Sequence, residues 1–536
     1  MKARAIMVLG TSSHVGKSLL TAALCRIFSQ QGYNVAPFKS QNMSLNSAAT
    51  LEGLEIGRAQ ALQAEAAGIA PSVHMNPILI KPSGESSSQV IVHGKIWGRV
   101  TAAEYHQRRV EELIPFIRES YEILASHYDV IILEGAGSPV EINLKQHDVA
   151  NMRMAEMADA ACLLVGDIDR GGVFASILGT LELLEPDERD RIRGFAINKF
   201  RGDVSLLKPG LRMMEGQVQK PCIGVVPYLN SLKLEEEDSL GLPATTQVRW
   251  VVGSASETSD QRPLRVAVVA LPSFSNFTDF DSLRSEPSVS VIFSRSTEAI
   301  AQADVVILPG SKQTVDDLLW MREHDLDTAV QHYATTGLLV GICGGMQILG
   351  ETITDPLGME RDGSVSGLGL LPIRTIMQAD KVTRNAEGEL IAKILFEQPI
   401  TTGRISGYEI HIGQTIYQTG AMRFAALSSD SESIGASNDG CISTDSRVFG
   451  TYLHGIFDDD GFRHQFVCAA RAFHKLAAPN ELSLWRQLRE ESINRLAREV
   501  EKALDMETIF GWAGLAHKGG TLAEELHTQT QRKVVV

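Results

Sequence analysis

Two stretches of this chain hold side chains of the kind that make and break bonds. In Ile342-Cys343-Gly344-Gly345-Met346-Gln347 a cysteine stands where an apolar run ends and glycines begin. Glycines let the backbone crowd into a strand-to-helix turn, and a helix N-terminus with a nearby imidazolium lowers a thiol's pKa towards neutrality. Backbone N–H groups of Gly344 and of the Leu308–Ser311 loop, with Gly310 at its turn, then supply an oxyanion hole. His454, in Gly450-Thr451-Tyr452-Leu453-His454, ends another apolar run and is the imidazole expected beside Cys343. Together these residues are equipped for nucleophilic attack on an acyl carbon.

The second stretch is Gly10-Thr11-Ser12-Ser13-His14-Val15-Gly16-Lys17-Ser18, directly after an apolar strand and before an amphipathic helix. Its glycines curl the backbone so that N–H groups face a phosphate at a helix N-terminus. Lys17 supplies charge for the outer phosphates of ATP and Ser18 a hydroxyl for Mg²⁺. Five residues separate Gly10 from Gly16, one more than in the usual phosphate loop. Two further charged residues close strands nearby: Lys39 after Asn34–Phe38 and Glu134 after Val130–Leu133.

The elements that must position these groups follow a regular pattern. Apolar runs at 5–9, 34–38, 129–135, 160–167, 193–199 and 221–228 alternate with helical stretches such as 17–31 and 55–68. Continuous apolar strands of this type belong to parallel sheets covered on both faces. Between about 229 and 263 the chain turns polar and acidic, and a second α/β alternation starts at 264–272 and runs through 290–293, 303–310 and 337–345. Past 360 the spacing is that of antiparallel strands, at 403–413 and 447–457. Leu484, Leu488, Ile493, Leu496, Val500 and Leu504 recur with a helical period. The fold class expected is α/β with two doubly wound parallel-sheet domains. Their bounds are 1–230 and 263–480, joined by a linker at 231–262 and followed by a helix and polar tail at 481–536.

Composition excludes several classes. The 536 residues carry 50 Lys plus Arg against 65 Asp plus Glu, a net charge of −15, which argues against a nucleic-acid or acidic-membrane partner. No apolar run approaches the roughly 18 residues of a membrane span, and Ala5–Leu9 is too short for a signal peptide. Six cysteines without Cys-x-x-Cys pairs read as thiols of a reducing compartment. The expected location is the cytoplasm.

The long phosphate loop resembles that of the dethiobiotin synthetase branch of P-loop proteins, which activate a carboxylate with ATP for attack by nitrogen. Lys39 in Phe38-Lys39-Ser40-Gln41-Asn42, Glu134 in Leu133-Glu134-Gly135-Ala136-Gly137 and Asn198 in Ile197-Asn198-Lys199-Phe200 fit that branch. The resemblance implies a phosphate-binding lysine, a Mg²⁺ ligand and an adenine-reading asparagine, respectively. Residues 263–460 resemble class I, triad-type glutamine amidotransferases. By that resemblance Cys343 attacks the glutamine side-chain amide, His454 shuttles the proton and Gln347 helps to hold the bound glutamine. Such enzymes usually carry Glu two residues after the histidine; here that position is Ile456, so either the orienting carboxylate comes from elsewhere, at Asp458 or Glu409, or it is missing and a backbone carbonyl or water orients the ring.

A ligase of the first kind fused to a glutaminase of the second resembles the cobalamin-pathway amidotransferases. The segments 38–47, 78–85, 166–176, 198–203 and 407–413 look like the cobyric acid synthase branch, and the likeness spans residues 3–505. The sister branch, the cobyrinate a,c-diamide synthases, carries an acid after the strand-2 lysine, where this chain has Ser40-Gln41-Asn42-Met43. The implied substrates are ATP, L-glutamine and adenosylcobyrinic acid a,c-diamide, amidated at carboxylates b, d, e and g. Arg170, Lys199 and Arg201 lie in the family-like segments as anchors for the corrin carboxylates. A nucleotide-dependent switch protein of the partitioning type would share the phosphate loop and leave Cys343 and His454 without a role.

Overall fold

A computed structural model describes residues 3–83, 87–101, 105, 110–230, 232–234, 250, 260–401, 403–428 and 437–517. The tail expected at 518–536 and most of the linker expected at 231–262 lie outside these residues.

The first sheet has six parallel strands in the order Cys222–Pro227, Ile192–Phe200, Ala161–Asp167, Arg4–Gly10, Val130–Glu134 and Val35–Phe38. Its strands are apolar over most of their length because helices cover both faces, which leaves little of either face to water. The chain leaves Arg4–Gly10 between two strands whose carboxyl ends carry Asp167 and Glu134. Crevices at such a reversal of strand order are where α/β sheets bind ligands. A four-stranded sheet, Gln41–Met43 with Ile78–Ser83, Ser87–Val92 and Lys95–Thr101, projects from this core. The sequence pattern does not separate it from its surroundings.

The second sheet is parallel through Val289–Ser294, Leu264–Val269, Val305–Leu308, Leu338–Ile342 and Val448–Thr451. Beyond that it is mostly antiparallel, with the long strands Ile373–Leu390 and Arg404–Tyr417 paired to each other. The antiparallel spacing expected past 360 holds for 404–417. Val448–Thr451 sits at the change of direction, parallel to Leu338–Ile342 on one side and antiparallel to Ser437–Ile442 on the other.

The helix expected near 482–505 is Trp485–Ala503. It packs on the first half of the chain, with Ile493, Leu496, Ala497 and Val500 in one apolar cluster with Leu20, Leu24 and Phe28 of helix Lys17–Gln30. Arg489 pairs with Glu65 and Arg26 with Glu490 across the same seam. Leu484 falls outside the helix and is exposed, and Trp485 takes the buried position instead. A short helix, Met506–Trp512, follows and stacks Phe510 on Phe28 at 4.1 Å between ring centroids.

The segment 46–58 of the first half touches the second. Strand Ser47–Ala49 and its partner Glu55–Gly57 lie against the glutaminase-like half, where Asn385 Nδ2 donates to the Thr50 carbonyl. Glu55, buried, is paired at 2.5 Å with Lys81 of its own half and with Lys381 of the other. Burial would raise its pKa; the two ammonium groups outweigh it and hold the carboxyl below the usual range. Burial in turn lowers Lys81 to about 8.

Candidate active site

The phosphate loop leaves strand Arg4–Gly10 and ends at Gly16, which adopts φ +98° as the residue preceding helix Lys17–Gln30. A side chain at Gly16 would place its Cβ 2.3 Å from Asn198 Nδ2, so both the torsion and the contact require glycine. Thr11 N–H donates to the Val165 carbonyl, tying the loop's start to the neighbouring strand. Lys17 is folded across the loop, its Nζ donating to the carbonyls of Ser12 and Gly137, both at 2.9 Å.

Ser18 Oγ donates to Glu134 Oε1 at 2.8 Å, so the hydroxyl and carboxylate expected at a metal converge. Lys39 Nζ reaches the same Oε1 at 2.9 Å, and Gln63 Nε2 donates to Oε2 at 2.6 Å. No cluster of three or more His, Cys, Asp or Glu forms a metal cage among the described residues. Two hard oxygens beside a phosphate loop fit Mg²⁺, which keeps water and substrate phosphate oxygens as its other ligands. Asn198, set at the carboxyl end of its strand, donates to the Val15 carbonyl at 2.8 Å and so braces the loop.

A cleft of about 540 Å³ opens here, lined by His14, Lys17, Ser18, Arg170, Asn198 and Lys199 among others. Lys199 Nζ is engaged by Asp167 at 2.9 Å and the His14 carbonyl at 2.6 Å. Arg201 pairs with Asp169 and lies 3.5 Å over the Tyr228 ring centroid. Arg170 and Lys199 line the cleft, Lys199 with its ammonium already engaged, whereas Arg201 is outside the lining and held by Asp169 and Tyr228.

In the second half, adjacent parallel strands end together. Val305–Leu308 leads into Gly310, Leu338–Ile342 into Cys343 and Val448–Thr451 into His454. Cys343 has φ +51° and ψ −108°, a strained turn for a residue with a side chain, with helix Gly344–Leu349 starting immediately after it. The turn is possible because Gly345 packs directly on the strand: a Cβ there would lie 2.0 Å from the Leu308 carbonyl oxygen. The Gly344 N–H, first in its helix and next to Cys343 in the chain, has no intrahelical acceptor. Gly310 packs against His454, where a Cβ would lie 2.9 Å from the ring. Gln347, buried, donates to the Tyr452 hydroxyl at 3.2 Å.

The carboxylate that holds His454 is Asp279, in the short 3₁₀ turn Phe277–Phe280. Its Oδ2 lies 2.7 Å from His454 Nδ1, and its Oδ1 accepts from the Gly455 N–H at 2.9 Å. This corrects the expectation of Asp458 or Glu409. Asp458 lies 3.8 Å from Arg58, and Glu409 is engaged by Arg384 and His411. Burial alone would lower the His454 pKa; the negative charges of Asp279 and Cys343 outweigh it and raise the imidazole to about 10. Tyr408 stacks on the ring at 5.3 Å and exchanges two backbone hydrogen bonds with His454. Asn276 Nδ2 lies 3.4 and 3.3 Å from the two ring nitrogens. Neither Asp279 nor Asn276 stands in a recognisable motif. Their only signal is a polar pair inside the aromatic run Phe274-Ser275-Asn276-Phe277-Thr278-Asp279-Phe280.

A phosphate-binding ligase core joined to a cysteine–histidine–aspartate centre defines a glutamine-dependent, ATP-using amidoligase. The profile of the CobQ/CobB/MinD/ParA nucleotide binding domain matches residues 6–241, and that of the CobB/CobQ-like glutamine amidotransferase domain matches 265–462. Cobyric acid synthase from Clostridium botulinum (strain Loch Maree) is 46% identical over 95% of this chain and 99% of its own length. The cobyric acid synthases of Thermoanaerobacter sp. (strain X514) and Moorella thermoacetica are 46% and 45% identical over 94% and 96% of this chain, covering 98% of each relative. The chain belongs to the cobyric acid synthase family of cobalamin biosynthesis. Among the described residues no helix is long and apolar enough to cross a membrane.

Proposed function

We propose that this enzyme amidates carboxylates b, d, e and g of adenosylcobyrinic acid a,c-diamide, using ATP and ammonia released from L-glutamine at Cys343, in the cytoplasm. The observation that carries the nitrogen-donor step is the His454–Asp279 pair at 2.7 Å in front of a cysteine on a strained strand-to-helix turn. Cys343 sulfur attacks the glutamine side-chain carbon, and the Gly344 N–H, with the Gly310 loop, receives the charge that develops on oxygen. His454, held by Asp279 through Nδ1, passes a proton to the departing nitrogen, so ammonia leaves and a thioester forms. Water then releases glutamate from the thioester, with His454 taking the water's proton.

A carboxylate resists attack by ammonia because its leaving group would be oxide. Transfer of the terminal phosphoryl group of ATP makes phosphate the leaving group. Ammonia then adds to the acyl phosphate, and amide, ADP and phosphate result. Lys17 and Lys39 neutralise phosphoryl charge, while Ser18 and Glu134 would hold Mg²⁺, which supplies further neutralisation when bound. Thr11, Gly10 and Gly16 shape the loop, and Asn198 fixes it against adenine. Arg170, Lys199 and Arg201 anchor substrate carboxylates. Residues 1–230 form the ligase unit and 263–480 the glutaminase unit.

Mass spectrometry of products from the a,c-diamide, ATP and glutamine tests the substrate: amides gained at all of b, d, e and g support the assignment, and an unchanged a,c-diamide refutes it. Cys343→Ala tests the nitrogen source. It is expected to lose glutamine-driven amidation and keep the reaction driven by ammonium at high pH. An unchanged ratio of the two activities would overturn the role of Cys343.

A further inference from the structure

The turn that carries Asp279 is held from outside its own half. Asn46 Oδ1, in the ligase half, accepts from the Phe277 N–H at 3.2 Å, and Ser47 N–H donates to Asn276 Oδ1 at 3.0 Å. Asn276 has φ +54°, a left-handed conformation that an asparagine keeps when its side chain is bound, and here Ser47 binds it. Its amide nitrogen is nearly equidistant from both ring nitrogens of His454, so it lies against the ring and not along one lone pair. Asn46, Ser47, Asn276, Asp279 and His454 are all buried, which shields these contacts from competition with water.

The same segment is tied to the nucleotide site. The Asn46 carbonyl accepts from the N–H of Arg58, the first residue of helix Arg58–Ala67. Gln63 of that helix donates to Glu134. The Arg58 guanidinium lies 5.7 Å over the ring of Tyr408, which stacks on His454. One short helix therefore touches the phosphate-site carboxylate and the glutaminase histidine's stacking partner.

We propose that Asn46 is a positioning residue supplied by the ligase half for glutamine hydrolysis: it fixes the 276–280 turn so that Asp279 meets His454. This rests on the reading of Cys343, His454 and Asp279 as the glutaminase centre. The turn is short, and two of its backbone and side-chain groups find their partners in the other half, so the centre is completed only with residues 46–47 docked.

The test uses the full chain and compares glutamate release, glutamine-driven amidation and ammonium-driven amidation. Asn46→Ala is expected to lower kcat for glutamine about tenfold, the scale of one lost buried hydrogen bond, with KM for glutamine within about twofold and ammonium-driven amidation unchanged. Asn46→Asp keeps an acceptor at the same atom and is expected to restore most of kcat. Asn46→Ser, too short to reach the Phe277 N–H and milder on folding, is expected to repeat the source-specific loss. Equal losses with both nitrogen sources, no loss in Asn46→Ala and Asn46→Ser, or no rescue in Asn46→Asp would overturn the proposal. Cys343→Ala measured alongside separates the cases: if it keeps glutamine-driven activity, the glutaminase reading itself has failed.

Discussion

Asp279→Asn isolates the one member of the glutaminase centre that no motif marks. The substitution keeps the shape and an oxygen able to accept from the Gly455 N–H, which Oδ1 does at 2.9 Å. It removes the charge facing His454 Nδ1 at 2.7 Å, between groups only 2% and 1% exposed. Water does not screen a contact so buried. A charge-assisted hydrogen bond of this kind is worth about 1.5–3 kcal/mol, roughly 10- to 150-fold in rate. An amide N–H aimed at Nδ1 also favours the tautomer with its proton on the wrong nitrogen, and that failure alone can reach about 10⁴-fold. The expected loss of glutamine-driven kcat is therefore about 10²- to 10⁴-fold, with ammonium-driven amidation unchanged. The pH profile gives a second reading. His454 is raised to about 10 by Asp279 and Cys343 against the opposing effect of burial, so losing one negative neighbour moves the alkaline limb of glutamate release to lower pH. In thermal melts the variant's deficit should be full below about pH 6.5, the free imidazole value, and should shrink as pH rises through about 10. A variant whose glutamate release stays within about threefold of the parent, with an unmoved alkaline limb, would refute the role given to Asp279.

Lys17→Ala and Glu134→Gln should each abolish amidation with either nitrogen source, because the loss lies on the phosphate side; substantial ammonium-driven product from either variant would remove it from the ATP site. Gly345→Ala pushes a methyl to within 2.0 Å of the Leu308 carbonyl, so glutamine-driven turnover should collapse while ammonium-driven turnover persists, as read by the ratio of the two rates. Leu496→Ala empties a site only 2% exposed in the seam between the C-terminal helix and the first half. It should cost about 2–5 kcal/mol, measured as a lower midpoint of denaturant unfolding, and a change under about 0.5 kcal/mol would show that this seam does not support the fold.

The sequence by itself determined what depends on neighbours along the chain. Apolar runs such as Ala5–Gly10 and Leu338–Ile342 are buried strands because their residues are apolar, and the long phosphate loop needs Gly16 because its own backbone must turn left-handed there. Cys343 was legible for the same reason: a nucleophile on a tight turn demands small residues beside it, and Gly344 and Gly345 are adjacent in the chain. The third member of the centre follows a different rule. With Ile456 where glutaminases of the resembled type usually carry Glu, the expectation moved to Asp458, four residues beyond His454, and to Glu409 in a strand before it. Each of those has its own partner, and Asp279 reaches His454 because Leu264–Val269 and Val448–Thr451 end at the same edge of one sheet. The docking of Asn46 and Ser47 on the 276–280 turn, and the return of helix Trp485–Ala503 to the first half, belong to that second kind. A local backbone torsion or an apolar period is written in a few consecutive residues, whereas strand order is chosen by the packing of the whole chain. Any pairing between groups brought together by strand order therefore exists only in the folded protein.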